Sequence, residues 1–243
     1  MLSSLNEVFL IELTVYLLTL FLLSQFLHLF DLKGGIGAVI IGAIVSIFGN
    51  LNWLVLLIIF AMSSQIATKY KFQEKKERKM QEGERGERRI SNVVYGGAIG
   101  VTVAILNGIH LFNFPYFVAF ASAFAAITSD TFASEIGIID TKTYLITTLK
   151  RCQTGINGGI SRVGTLASIL GSVIISSCYG ILSISGGVDI YYVLIILVSG
   201  FLGCQLDSIL GALFENRKKM TKGEVNLSAS LFAVFLTVLI ITA

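Results

Sequence analysis

The chain is poor in most of what builds a soluble enzyme. It has one proline, two histidines and three cysteines in 243 residues, and only 14% of it is charged, whereas about a quarter of a soluble domain is. So little charge cannot cover a soluble globule of this size. With 54% hydrophobic residues and a mean hydropathy of +0.82, the chain reads as a membrane protein. Lone Pro115 and the lack of any low-complexity tract exclude flexible linkers and disordered tails. Cys152, Cys178 and Cys204 are odd in number, far apart and without C-x-x-C spacing, which excludes a disulfide framework and a zinc site. His28 and His110 are isolated and read as structural or interfacial. The N-terminal MLSSLNEVFLIEL has no basic region and no small-residue cleavage site, so it is expected to stay as part of the first helix. The absence of a transit leader favours a prokaryotic cell membrane. The net charge of +3 lies in the connections rather than on a nucleic-acid-binding face.

What is present is a series of apolar runs. The fold class expected is an all-α polytopic bundle of six to eight transmembrane helices, one domain over 1–243, with room for eight spans of about 20 residues. The runs are Val8 to Phe30, Ile36 to Phe48, Trp53 to Thr68, Ile90 to Leu106, Phe114 to Ile139, Gly164 to Leu182, Ile190 to Phe214 and Asn226 to Thr242. Trp53 stands where an interfacial aromatic would. Three polar connections separate them: a charged loop at 69–89 that suits an exposed helix or ordered loop, a Gly-rich loop at 140–163 and a basic loop at 215–224. Threading eight spans gathers all 18 Lys and Arg at one end. The positive-inside rule makes that end cytoplasmic and puts both termini outside.

Three acids interrupt the apolar runs. Asp130 and Glu135 lie in SDTFASEIG, and Asp207 lies in GCQLDSILGALF. An acid near the middle of a span costs about 2.5–3.5 kcal/mol unless it faces an ion, water or a partner. From the helical rise, all three fall roughly 8–15 Å from the basic end. Asp130 and Glu135 are separated by about 140° on a regular helix, so they meet only if the helix kinks or both border one cavity. Thr131, Ser134 and Ser208 add hydroxyls. Ala119, Ser122, Ala123 and Ala126 form a small-residue stripe, and Gly203 and Gly211 flank Asp207 on one face, both suited to close helix approach. These acids read either as interhelical hydrogen-bonding groups or as a cation site, and their shared depth favours the site.

TGINGGISRVGT, ahead of the sixth span, offers Asn157, Gly158, Gly159, Ser161, Arg162 and Thr165 for anion binding at a helix start, or simply a capped helix N-terminus. Gly159 to Thr165 superficially resembles a phosphate loop, but it lacks the lysine before Thr165 and no strand is expected ahead of it. Arg85, Arg88 and Arg89 read alone as a solvated face or a lipid contact. Together with the acids and the Gly-rich loop they face one side, as binding of Mg²⁺ and phosphates requires.

The motifs GERGERRISNV, SDTFASEIG, TGINGGISRVGT, QLDSILGA and VNLSAS, in this order, resemble the integral-membrane family that includes the plant phytyl-phosphate kinase of vitamin E synthesis. The resemblance runs from about Lys75 to Ser230. That family usually reads A-D-T-W-A-S-E-I-G, so Ser129 and Phe132 depart from it, with consequences for pocket shape. The resemblance implies Mg-dependent phosphoryl transfer from a nucleoside triphosphate, CTP by analogy with prenol kinases, to an isoprenyl monophosphate of phytyl or geranylgeranyl type. It implies that Asp130, Glu135 and Asp207 hold Mg²⁺, and that Arg85, Arg88, Arg89, Asn92, Asn157, Gly158, Gly159 and Thr165, with Asn226 as a late contributor, bind phosphates. A homo-oligomer is compatible with it. A prenol kinase and a lipid-phosphate cytidylyltransferase are alternative enzymes. A cation-coupled transporter is the alternative of another class, because carboxylates within the membrane and Gly-broken helices also mark transport.

Overall fold

The computed structural model describes residues 7–243, without the Ser185 side chain; the first residues of the retained N-terminus expected above lie outside the described residues. The helices are α1 (Glu7–Phe26), α2 (Leu32–Phe48), α3 (Leu51–Lys69), the short α4 (Phe72–Glu77), α5 (Ile90–Gly108), α6 (Tyr116–Gly137), α7 (Arg162–Leu182), α8 (Ile190–Leu210) and α9 (Lys222–Thr242). Seven are long and apolar enough to cross a membrane, the last turns of α8 included, and α2 is a shorter apolar helix among them. At about 1.5 Å per residue, α2 is roughly 25 Å long, close to the thickness of the hydrocarbon core.

Polar caps fix where several helices begin. Asp31 accepts from the Gly34 amide at the start of α2 and Ser161 from the Gly164 amide at the start of α7, while Thr221 and Glu224 form a reciprocal capping box on α9. α8 runs into a π-helical turn, Gly211–Glu215, beside the polar loops. Such widened turns concentrate at functional sites.

The centre of the bundle is α6, which is buried along most of its length and packs on α3, α5, α7, α8 and α9. Its small residues let neighbours approach closely. A Cβ on Gly203 would lie 2.7 Å from the Ala126 Cβ, and one on Gly200 would lie 2.5 Å from both the Ala125 Cβ and the Ser172 Oγ. Hydroxyls join helices around this axis. Thr237 Oγ1 donates to Ser122 Oγ at 2.7 Å, and Ser230 Oγ donates to the Ala123 carbonyl at 3.0 Å. Gly200→Ala is therefore expected to cost about 1–3 kcal/mol through overpacking. A lower thermal midpoint in detergent checks this, with Gly186→Ala as the silent control, since a Cβ there meets nothing within 4 Å.

Trp53 is not interfacial. It is 3% exposed and stacks on Phe117 at 5.3 Å, with Phe120 at 4.5 Å, because α3 turns its first residues inward against α6.

The connections carrying Lys33, 69–89, 140–163 and 215–222 lie at one end. Phe30 pairs with Arg88, the Asn216 amide donates to the Asn157 carbonyl at 2.9 Å, and Met80 touches the Gly155 site. At the other end Asn52 donates to the Leu182 carbonyl and Asn107 to the Phe48 carbonyl. Within the Gly-rich connection a small antiparallel sheet forms from β1 (Thr143–Leu145), β2 (Arg151–Cys152) and β3 (Gly159–Ile160), ordered β2-β1-β3, with Thr143 opposite Cys152 and Tyr144 opposite Ile160. The two residues of β3 thus do precede α7, where the sequence reading expected no strand. Such short strands carry no alternation from which to read them.

Candidate functional site

Two cavities meet near the basic end. One, about 270 Å³, runs between α1, α2, α3, α5 and α6 and is walled mostly by apolar side chains such as Leu17, Leu54, Phe124 and Ile127. The other, about 220 Å³, lies under the Gly-rich connection against α6, α7 and α8, with far more polar walls. Asp130, Ser134, Glu135 and Lys222 line both. A single wall therefore separates a hydrocarbon-like space from a hydrophilic one.

On that wall the Asp130 carboxyl lies close to that of Asp207, which approaches it from α8. Gly203 and Gly211 allow this approach: a Cβ on the first would press on α6 and α9, and one on the second would lie 3.3 Å from the Gly158 amide nitrogen. With its amide nitrogen turned to the acceptors, Asn226 donates to Asp207 Oδ2 at 3.0 Å and to the Lys222 carbonyl at 3.3 Å. Asp130 and Asp207 offer oxygen donors of the type Mg²⁺ takes, and Mg²⁺ commonly uses one or two carboxylates, with phosphates and water completing its shell. The pair fits that ion.

Glu135 does not join them, and among the described residues no three Asp, Glu, His or Cys side chains form a group that could hold a metal. The five-residue spacing from Asp130 turns Glu135 toward α4, where its Oε2 accepts from Lys75 Nζ at 2.6 Å. Lys75 is 1% exposed and also donates to the Thr68 carbonyl at 2.6 Å and the Ala67 carbonyl at 3.4 Å. The charged 69–89 segment is thus pinned into the bundle by a buried lysine rather than exposed throughout.

That segment sets Arg88. Its backbone bonds to Leu29 and Asp31 at 2.9 and 3.1 Å, its Nη2 donates to Thr68 Oγ1 at 3.0 Å and lies 3.9 Å from Glu135, and its buried Nε has no partner. The loop before it is closed by the Glu87 carboxylate, which accepts from the Glu84 and Arg85 amides at 3.1 and 2.7 Å. Burial raises the pKa of Glu87, but hydrogen bonds from the backbone of Glu87, Arg85 and Glu84 outweigh it and hold the carboxyl below its ordinary range. Arg88 and Asn92 line the apolar cavity, and Asn92 donates to Glu82 Oε1 at 2.8 Å. Arg85 and Arg89 are exposed and line neither cavity. Nor is His28 isolated, since its Nε2 lies 3.0 Å from Arg85 Nη1.

Asn157, Gly158, Gly159, Ser161, Thr165 and Ser208 line the polar cavity; Thr131 lines the apolar one, and Arg162 is exposed outside both. Ser161 spends its hydroxyl on capping α7, and Thr165 Oγ1 donates back to the Ser161 carbonyl at 2.9 Å. Gly158 has φ +76°, and a Cβ there would lie 2.5 Å from both the Ser208 carbonyl and the Ala212 Cβ. Its lack of a side chain thus lets the loop seat on α8. Sequence reasoning missed Lys222, Lys75, Glu82 and Glu215, all of them at the site. Lys222 was within reach: the sequence reading left it in the basic loop, but α9 begins there, four residues before Asn226 and on the same helix face. Lys75 carries no such signal inside a charged run.

The fold and site are those of a polytopic helical membrane protein with carboxylates at the base of an apolar cavity. The model of the integral membrane protein family DUF92 matches residues 15–238. The chain belongs to that family, which includes the plant phytyl-phosphate kinase VTE6. It is 36% identical over 211 residues to membrane protein MJ0933 of Methanocaldococcus jannaschii, covering 86% of this chain and 85% of that one. It is 31% identical over 189 residues to membrane protein sll0875 of Synechocystis, covering 74% and 71%. Chloroplastic VTE6 of Arabidopsis thaliana is 33% identical over 135 residues, covering 54% of this chain and 40% of VTE6. No solved structure matches the chain.

Proposed function

We propose that this protein is a prenyl-phosphate kinase that moves the terminal phosphoryl group of a nucleoside triphosphate, CTP by analogy with prenol kinases, onto an isoprenyl monophosphate of phytyl or geranylgeranyl type. The observation that carries the reading is the shared wall, where acids and a lysine stand between an apolar and a polar cavity. The distant relationship to VTE6 supports the reaction class. The positive-inside rule makes the basic end cytoplasmic, the side on which nucleotides are available.

The prenyl tail lies in the apolar cavity with its phosphate beside Arg88, Asn92 and Lys222, and the triphosphate lies under the Gly-rich loop beside Asn157, Thr165 and Ser208. Asp130 and Asp207 would hold Mg²⁺, which when bound draws phosphate oxygens together and offsets their charge. An oxygen of the prenyl phosphate attacks the terminal phosphorus, and the bond from that phosphorus to the β-phosphate oxygen breaks, its electron pair leaving with the nucleoside diphosphate. A phosphomonoester loses its second proton near pH 6, so the attacking oxygen needs no general base at neutral pH. Charge balances, with a dianion and a tetra-anion giving two tri-anions.

The test is product mass after incubating the purified protein with geranylgeranyl monophosphate, Mg²⁺ and each nucleoside triphosphate in turn. A gain of one phosphoryl group, with one nucleotide preferred, is expected. A nucleotidyl adduct would make the protein a cytidylyltransferase, turnover of the free alcohol alone would make it a prenol kinase, and ion flux without nucleotide dependence would make it a transporter.

A further inference from the structure

We infer that Lys222 is a catalytic residue whose ammonium meets the oxygens of the phosphoryl group during its transfer. This assignment rests on the kinase reading above. The motifs in the sequence did not single it out, and three observations do.

The first is position. Among the described residues Lys222 is the only Lys or Arg lining the polar cavity, and it lines the apolar cavity as well, whereas Arg88 lines the apolar one alone. A phosphoryl group passing from one cavity to the other crosses the wall to which Lys222 belongs.

The second is availability. Lys75 is spent on Glu135 and two carbonyls, Arg85 faces His28, and Arg88 is bonded to Thr68. Among the described residues Lys222 Nζ makes no hydrogen bond or ion pair, although Asp130, Asp207 and Glu215 all lie near enough to feel its charge. A cation held close to three acids without pairing to any of them keeps its donors for another anion.

The third is anchorage. Lys222 is the first residue of α9, and the Thr221–Glu224 capping box fixes the backbone there. Gly223 packs so tightly on the Tyr95 ring that a Cβ would lie 2.2 Å from it. The base of the side chain is held while its four-carbon stem can follow a moving group.

In phosphoryl transfer, charge spreads over the three equatorial oxygens as the bond to the leaving oxygen lengthens. A compact ammonium aimed at those oxygens from between donor and acceptor stabilises the transition state more than either bound substrate. The same electrons move as described above, and Lys222 gives up no proton.

The test compares Lys222→Met, Lys222→Gln and Lys222→Arg with the unaltered full-length protein in detergent. Loss of one such preorganised contact costs roughly 100–1,000-fold in kcat, so a fall of that size is expected in the Met and Gln variants, with KM for both substrates and the half-saturating Mg²⁺ concentration within about threefold. Lys222→Arg keeps the charge in another shape and should fall between. Thermal midpoints, with and without prenyl phosphate, should match the unaltered protein. A kcat within threefold of the unaltered protein in the Met variant overturns the assignment. So does a loss of rate matched by a large shift in Mg²⁺ requirement or thermal midpoint, because Lys222 would then serve only as a counter-ion for the acids. If the unaltered protein turns over no prenyl phosphate with any nucleotide, the kinase reading itself fails, and this role with it, before any variant is compared.

Discussion

Asp130→Asn and Asp207→Asn are each expected to lower turnover by about a thousandfold or more while leaving a folded protein. The amide has the shape of the carboxyl, so the close approach of α6 to α8 and the bond from Asn226 survive the change. What is lost is one of the two anionic oxygen pairs that would hold Mg²⁺ on the shared wall. The carboxyl groups meet inside the bundle, where two like charges repel, so each substitution should keep or raise the thermal midpoint. That pairing of a lost rate with an unlowered midpoint separates a metal site from interhelical hydrogen bonding, for which midpoint and rate would fall together. Glu135→Gln is the contrast within the same helix. Glu135 faces Lys75 rather than the aspartates, so its loss should leave the Mg²⁺ requirement within about threefold if the two aspartates suffice for the ion. Initial rates over a Mg²⁺ series and detergent melting curves decide it. Unaltered activity in either Asn variant would remove that acid from the site.

Much of this architecture was legible in the residues. Hydropathy fixes the crossing helices because a backbone in lipid must satisfy its own hydrogen bonds, and the one-sided distribution of Lys and Arg fixes their threading. The small residues of α6 and the glycines around Asp207 signal close approach, and the structure shows that approach at Ala125, Ala126, Gly200 and Gly203. Depth placed the three acids at similar levels but could not set their directions. Glu135 faces α4 because of where Lys75 comes to rest, a long-range contact of which a run of alternating charges gives no sign. Trp53 shows the same limit from the apolar side: its place next to a turn suggests an interface, and only the packing of α3 on α6 reveals a core residue. The sheet in the Gly-rich connection escapes notice for a different reason, since strands of two or three residues have no period to detect.

Lys75→Met is expected to be the most destabilising single change outside the helix core, costing about 3–5 kcal/mol. The substitution removes the ammonium, leaving the Glu135 carboxylate and the Thr68 carbonyl without this donor in a place where water is scarce, while the Ala67 carbonyl keeps only the Tyr70 amide. The double variant Lys75→Met/Glu135→Gln should recover much of the loss, because the stranded charge is gone and a Met stem fills similar volume. If the single and double variants melt together well below the unaltered protein, the damage lies in the backbone carbonyls rather than in the stranded carboxylate. The pair also has a functional consequence. Glu135 and Thr68 hold the guanidinium of Arg88 at the polar end of the apolar cavity, and Lys75 holds Glu135 and the end of α3. With Lys75 gone, Arg88 is free to swing toward the unneutralised carboxylate and away from an incoming phosphate. The KM for prenyl phosphate should therefore rise several-fold in the single variant and return toward normal in the double, while the KM for nucleotide, bound on the other side of the wall, stays put. An ion pair that only stabilised the loop would shift melting without that substrate-selective change. One that positions Arg88 moves both together.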